Sequence, residues 1–298
     1  MQRITQAGML SAVYANTSRT LLQLATYQEQ LSTGKKLNRI SDDVVAARQS
    51  LRYRADERAS AKWLDNIEKT LAFMGATDAA LAEVVTVLDQ AKALAVQGAN
   101  GSQDAASRGA LAQAVDSLLT RLIDIGNSVH DGRYLFGGTA TTEDKPFALS
   151  ADGSRVDYRG DLDAFRVEIG PNSAIEVNQN GHKLFKERVD LFAALIGLRD
   201  ALRANDGAAV AASLTTIDGA HRHANDLLGS MGGRIQRLEL ARTQLEASQL
   251  YQRELVSQAE DIDFPEVVSK LQLTEIALQA GLQTAARTLT STLLDFLR

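Results

Sequence analysis

The chain has 298 residues, 45% of them hydrophobic, with 32 Lys and Arg against 37 Asp and Glu and no cysteine. That length is enough for about two domains, and the missing cysteine excludes a disulfide framework, a thiolate nucleophile and a thiolate metal site. A net charge of −5 argues against nucleic acid as a partner, because phosphate binding needs a concentrated basic surface.

Proline is 3 of 298 residues, which favours long helices. The first 40 residues carry Arg3, Arg19, Lys35, Lys36 and Arg39 against Glu29, a scattered set that reads as a solvated face. The positions 10, 14, 17, 21, 24, 28 and 31 step by four and three. They hold Leu10, Tyr14, Thr17, Leu21, Leu24, Gln28 and Leu31, a heptad seam with polar gaps. Gly34 is placed to end this helix.

Ser41, Asp42 and Asp43 can start the next helix. From there to about Gln97 no proline intervenes. The positions 64, 67, 71, 74, 78, 81, 85, 88, 92 and 95 form an apolar stripe of near-heptad spacing. At ~1.5 Å per residue such a helix is on the order of 80 Å long, which predicts an elongated rod. Gly98 to Asp104 reads as a turn, and Leu111, Val115, Leu118, Leu122, Ile125 and Val129 as a returning helix that completes a helical hairpin.

Composition changes at Gly126. Between there and Phe185 lie 8 of the 21 glycines and 6 of the 15 aromatics. Short alternating stretches at 155–158, 165–169 and 174–177 are separated by Arg159-Gly160-Asp161 and Gly170-Pro171-Asn172, which predicts a small β insertion. Leu191 to Leu198 reads as a buried helix, and Arg234 to about Asp261 as one long helix. Asp263, Pro265 and Glu266 then cap a last helix with Val268, Leu271, Glu275, Leu278, Leu282, Ala285, Leu289, Thr292 and Phe296 on heptad spacing.

The expected fold is therefore mainly α: an elongated rod of long helices, the N- and C-terminal helices paired as a coiled coil, with a small β-rich insertion in the middle. Three parts are expected: 1–40 plus 264–298 as a terminal coiled-coil assembly domain, 41–130 plus 189–263 as a helical rod, and 131–188 as the insertion. Polar members of the terminal seams weaken the pair, so the ends are expected to be loose in the monomer and fixed by neighbouring subunits. Leu21, Leu24, Leu31, Leu271, Leu278, Leu282, Leu289 and Phe296 are the candidate assembly residues.

No catalytic constellation emerges. His221 and His223 stand two apart on a helix and point to different sides, so they read as surface histidines and not as a metal pair. His130 and His182 have no ligand spacing. Asp42-Asp43 and Asp261/Asp263 flank helix starts, where capping accounts for them. Gly137-Gly138 lacks the spacing of a phosphate loop, and there is no Gly-x-Ser-x-Gly elbow. No enzyme activity, cofactor or metal is expected. No run approaches the ~18 consecutive apolar residues of a membrane span, so no membrane insertion is expected. The N-terminus lacks the apolar core of a cleaved signal, which predicts a cytosolic chain or exit by a route without one.

Several runs resemble bacterial flagellins and hook-associated proteins. They are Arg3-Ile4-Thr5; the fourteen residues from Gln30 to Asp43 (QLSTGKKLNRISDD) with Ala46-Ala47; Ala91 to Gly101 (AKALAVQGANG); and Gly233 to Glu239 (GRIQRLE) followed by Ala259 to Asp263 (AEDID). The last are Leu278 to Gln283 (LQAGLQ) and Leu293 to Leu297 (LLDFL). The resemblance covers nearly the whole chain, in order. Gly132 to Gly138 (GRYLFGG), Pro146-Phe147 and the closing Leu-Leu-Asp-Phe-Leu-Arg look like the junction-forming hook-associated branch. The alternative is a flagellin filament subunit.

The resemblance implies a structural protein of the bacterial flagellum, a ring connecting hook to filament and needed for motility. Its axial neighbours would be the first hook-associated protein and flagellin, and its ring neighbours copies of itself. It further implies type III export without a cleaved signal, an export chaperone at the C-terminal region, and an extracellular location.

Overall fold

The structure, a computed structural model, describes residues 6–140, 144–178 and 180–296; in the two end helices it describes side chains at residue 8 and over 11–33 and 264–286. The elements in order are α1 (Gln6–Thr33), α2 (Val44–Ala99), α3 (Ala105–Gly126), β1 (Val129–His130), β2 (Arg133–Tyr134), β3 (Phe147–Leu149), β4 (Val156–Tyr158), β5 (Arg166–Gly170), β6 (Ser173–Glu176), a π-helical turn (Lys183–Glu187), α4 (Leu191–Arg203), α5 (Gly207–Glu260) and α6 (Phe264–Phe296). The fold is mainly α with a small β insertion. Two compact units divide it: residues 1–59 with 248–298, and residues 60–247, with α2 and α5 contributing to both.

The core of the second unit is built on α2. Ile67, Met74, Leu81, Leu88 and Ala95 are buried, as the heptad reading expects. The other half of the seam lies one residue earlier than the stripe suggested. It is Thr70, Thr77, Val84 and Ala91, all buried, while Leu71 and Val85 are only partly so. Two threonines can occupy a core seam because their hydroxyls are satisfied within the helix. Thr70 donates to the Asn66 carbonyl at 2.7 Å and Thr77 to the Phe73 carbonyl at 2.9 Å. α2 has an 18-residue window of mean hydropathy 1.6, long and apolar enough by composition to cross a membrane. In the fold its apolar stripe is the core of this unit.

α3 starts where Asp104 accepts the Ser107 amide at 2.8 Å, and it buries Leu111, Val115, Leu119, Leu122 and Ile125. α4 begins under Asp190, which accepts the Ala193 amide at 2.8 Å, and packs on α3 with Leu191, Phe192, Leu195, Leu198 and Leu202 inside. α5 starts earlier than the sequence reading had it, at Gly207, capped by Asp206 at 3.0 Å from the Ala208 and Ala209 amides. Its glycines at 219, 229, 232 and 233 do not break it.

The insertion contains three two-stranded antiparallel sheets. The alternating stretches supplied β4, β5 and β6. The β1–β2 hairpin was missed. Its turn is Asp131-Gly132, with φ of 49° and 74°, the two positive values that a type I′ turn requires. Phe147, Phe185 and Phe192 form the insertion's buried aromatic cluster, with centroids 4.8–5.2 Å apart. Tyr158 rests on Phe147 and donates to the Phe136 and Asp161 carbonyls at 3.0 and 2.9 Å. Burial pushes its hydroxyl up to about 12.

His223 is not a surface histidine: it is 7% exposed, with Nε2 3.3 Å from the Lys183 carbonyl of the π-helical turn. His221 is partly exposed and meets Asp89 at 3.0 Å.

Candidate functional site

The candidate assembly residues fall in the first unit, where α1 packs on α6. The pair is antiparallel: Gly34 at the end of α1 meets Ile262 just before α6, while Thr17 lies beside Gly281. On α1 a half-buried stripe runs through Val13, Thr17, Thr20, Leu24, Tyr27 and Leu31, with Ala15 and Gln30 half-buried beside it. On α6, Val267 is buried and Val268, Leu271, Thr274, Leu278, Gly281 and Ala285 are half-buried. Both sets step by about 3.5, the spacing of a coiled-coil seam.

Half of each expected seam is thus in place, and half is displaced by one residue. Thr17, Leu24, Leu31, Leu271, Leu278 and Ala285 face inward. Val13, Thr20, Tyr27, Val267, Thr274 and Gly281 take the other positions. Thr20 donates to the Asn16 carbonyl at 3.0 Å and Thr274 to the Lys270 carbonyl at 2.7 Å. A Cβ at Gly281 would lie 3.9 Å from Thr17 Oγ1, so the glycine admits close approach.

The displacement turns larger apolar groups outward. Leu21 is 49% exposed and Leu282 52%, both on the candidate list and both off the intramolecular seam. Tyr14, Leu22, Leu273 and Ile276 are exposed as well. Leu24, Leu31, Leu271 and Leu278 hold the pair together. Leu289 and Phe296 lie outside the residues whose side chains are described.

A polar clasp closes the pair at one end, and it was not foreseen. Gly34, with φ of 71°, ends α1 as a glycine in the left-handed region should, its amide on the Gln30 carbonyl at 2.8 Å. The connection 34–43 is then tied to the α5–α6 junction. The Lys36 amide donates to the Glu260 carbonyl at 2.7 Å, the Ile262 amide to the Gly34 carbonyl at 3.2 Å, and Lys36 Nζ to the Gln258 carbonyl at 2.7 Å.

Glu260 is the centre of the clasp. It is 7% exposed and accepts from Lys35 Nζ at 2.6 Å, from Arg54 Nε at 2.7 Å and from the Ser50 hydroxyl. The Arg54 guanidinium above all, then Lys35 and Ser50, hold its carboxyl down to about 2 against the cost of burial. Asp42 knits the same loop by accepting the Asn38 and Arg39 amides at 3.0 and 2.7 Å. Asp43 caps α2 through the Val45 and Ala46 amides, both at 2.9 Å, and Asp263 caps α6 through the Glu266 amide at 3.2 Å. Asp261 does not cap; it accepts from Ser257 at 2.6 Å. Most of the run from Gln30 to Asp43 therefore has a specific structural task. The signal for Glu260 was its place in the Ala259–Asp263 run, but pairing across more than 200 positions has no periodicity to betray it.

Among the described residues no group of three His, Asp or Glu could hold a metal ion. What this arrangement offers is shape: two long helices with an apolar seam inside, apolar groups outside and a charged clasp at one end.

Residues 4–141 match the bacterial flagellin N-terminal helical region. The chain is similar to flagellar hook-associated protein 3 of Escherichia coli strain K12, 26% identical over 286 residues, covering 86% of this chain and 87% of that one. It is also similar to flagellin FlaB1 of Treponema pallidum, 24% identical over 291 residues and 95% of each chain. The crystal structure of the flagellar junction protein FlgL from Legionella pneumophila has the same fold: TM-score 0.61 at 14% identity, covering 72% of this chain and 100% of that one.

Proposed function

We propose that this chain is a structural subunit of the hook–filament junction of the bacterial flagellum and not an enzyme. The observation that carries the reading is the likeness to hook-associated protein 3, which extends over most of both chains. Residues 1–40 with 264–298 act as the assembly domain, 41–130 with 189–263 as a helical scaffold, and 131–188 as a β-rich insertion. The subunit is exported through the flagellar type III apparatus without a cleaved signal, with a chaperone on its C-terminal region. It then forms a ring of its own copies between the first hook-associated protein and flagellin.

The mechanism is adaptation between unlike neighbours. An outward apolar surface costs free energy in water and is stabilised by burial, roughly 25 cal/mol per Å². Leu21 and Leu282, exposed on α1 and α6, provide such surface beyond what the pair uses internally. Leu24, Leu31, Leu271 and Leu278 fix the pair that presents it. Leu289 and Phe296 extend the same heptads. Ends that are loose in the monomer would order as neighbours cover this surface.

The alternative is a flagellin filament subunit, and the likeness to flagellin FlaB1 is its support. Gold-labelled antibody against residues 60–247 separates the two on isolated flagella. Label confined to the hook–filament boundary is expected. Label along the whole filament would overturn the junction reading in favour of the filament subunit.

A further inference from the structure

The geometry points to Asn100–Gly101, in the turn between α2 and α3, as a site of spontaneous deamidation at which Arg108 directs the product toward isoaspartate. Asn100, Gly101 and Ser102 are exposed. The Asn100 side-chain oxygen accepts from both the Ser102 amide and the Ser102 hydroxyl, each at 3.2 Å. A backbone amide can only donate, so the atom facing it is Oδ1 and the amide nitrogen points away, free to leave. A Cβ added at Gly101 would meet nothing within 4 Å, so the nucleophile is hindered neither by its own side chain nor by its surroundings.

The chemistry needs only water. The Gly101 nitrogen loses its proton to solvent and attacks Asn100 Cγ. A new N–C bond forms, and negative charge develops on Oδ1 against the two Ser102 donors. Collapse breaks the Cγ–Nδ2 bond, and the nitrogen leaves as ammonia after taking a proton from water. The result is a cyclic imide. Water then adds to one of its two carbonyls. Addition at Cγ regenerates the normal main chain as aspartate. Addition at the main-chain carbonyl carbon routes the chain through the side chain and leaves the former backbone carbonyl as a free carboxylate. In sum, one water is consumed and one ammonia is released.

Arg108 biases the second step. Its guanidinium is 7% exposed and is surrounded by neutral acceptors: the Gly98 carbonyl at 2.9 Å, the Asn100 carbonyl at 3.2 Å and Asn205 Oδ1 at 2.6 Å. Among the described residues no carboxylate pairs with it. Its hydrogen bond to the Asn100 carbonyl polarises the carbon at which isoaspartate is made. Opening there also gives a nearly buried cation its counter-ion. Arg108 is thus a positioning residue.

The other Asn-Gly pair is an internal control. The Gly181 amide is held by the Phe136 carbonyl at 3.2 Å, and a Cβ there would meet that oxygen at 2.5 Å. Asn180 Oδ1 accepts the His182 amide at 2.8 Å.

The full chain is incubated at mildly alkaline pH, folded and in urea, and mapped by peptide mass spectrometry, with isoaspartate counted by enzymatic methylation. Folded protein is expected to gain the mass of an NH2-to-OH exchange at Asn100 and not at Asn180; urea makes both react. Ser102→Ala should slow the reaction roughly fivefold, the effect of one ordinary hydrogen bond. Gly101→Ala, which has room to fold, should slow it further. The isoaspartate share at residue 100 should be higher in folded protein than in urea, and Arg108→Lys should bring it down to the urea value. Equal reaction at Asn100 and Asn180 in folded protein, or none at Asn100, would overturn the site. An isoaspartate share unchanged by folding would overturn the role of Arg108.

Discussion

Replacing Glu260 by glutamine is expected to loosen the connection between α1 and α2 without unfolding residues 60–247. A carboxyl held at about 2 against an ordinary 4.5 represents at most about 3 kcal/mol of stabilisation. Its cationic partners are partly in water, Lys35 at 41% and Arg54 at 39% side-chain exposure, so screening reduces the effect to about 1–2 kcal/mol. Both cations can rehydrate once Glu260 is neutral, which avoids the larger penalty of a stranded buried charge.

The readout is amide hydrogen exchange at Lys36 and Ile262, whose amides are bound across the clasp. Exchange should be roughly 5 to 30 times faster in the variant near neutral pH. The sign of the pH effect follows from the lowered folded value. The stabilisation is complete above about 4.5 and is lost as pH falls toward about 2. The gap between the native protein and Glu260→Gln should therefore close over that window. Equal exchange at neutral pH, or a gap undiminished at pH 2, would refute the reasoning.

Leu278→Asp puts a carboxylate into the α1–α6 seam; it should abolish incorporation into flagella while circular dichroism shows the helices of residues 60–247 retained. Leu21→Ser with Leu282→Ser should leave the monomer within about 0.5 kcal/mol in denaturant titration, because both are exposed, yet reduce incorporation. Gly126→Ala drives a methyl to 2.7 Å from the Phe147 ring and should lower the melting temperature, with Phe147→Ala in the same cluster costing about 3–5 kcal/mol. Asp190→Ala removes the α4 cap and should cost about 1 kcal/mol by the same titration.

The helices were legible because heptad spacing, capping residues and scarce proline all point the same way. The a-type positions of α2, Ile67, Met74, Leu81 and Leu88, were read correctly from hydrophobicity alone. The opposite half-seam was not, since Thr70 and Thr77 are polar in the sequence and apolar in effect once their hydroxyls turn back on the helix. The same substitution of threonine or glycine for leucine explains why Leu21 and Leu282 face outward while Thr20 and Gly281 face inward. In the insertion, β-strand alternation and turn residues located β4 to β6, but a two-residue strand such as β1 leaves no period to detect. The clasp was invisible for a different reason. Lys35, Ser50, Arg54 and Glu260 are brought together by tertiary structure, and nothing in their local sequence marks them as partners. His223 shows the converse: helical spacing separates it from His221, but only packing under the π-helical turn decides that it is buried.

Deletion of this chain's gene in its motile host, with the cells imaged by electron microscopy and the medium probed for flagellin, tests the junction assignment most directly. Bare hooks with flagellin released into the medium are expected, since export would be intact and the filament would have no base on which to start. Hooks without filaments and no flagellin in the medium would contradict the account and make this chain the filament subunit itself.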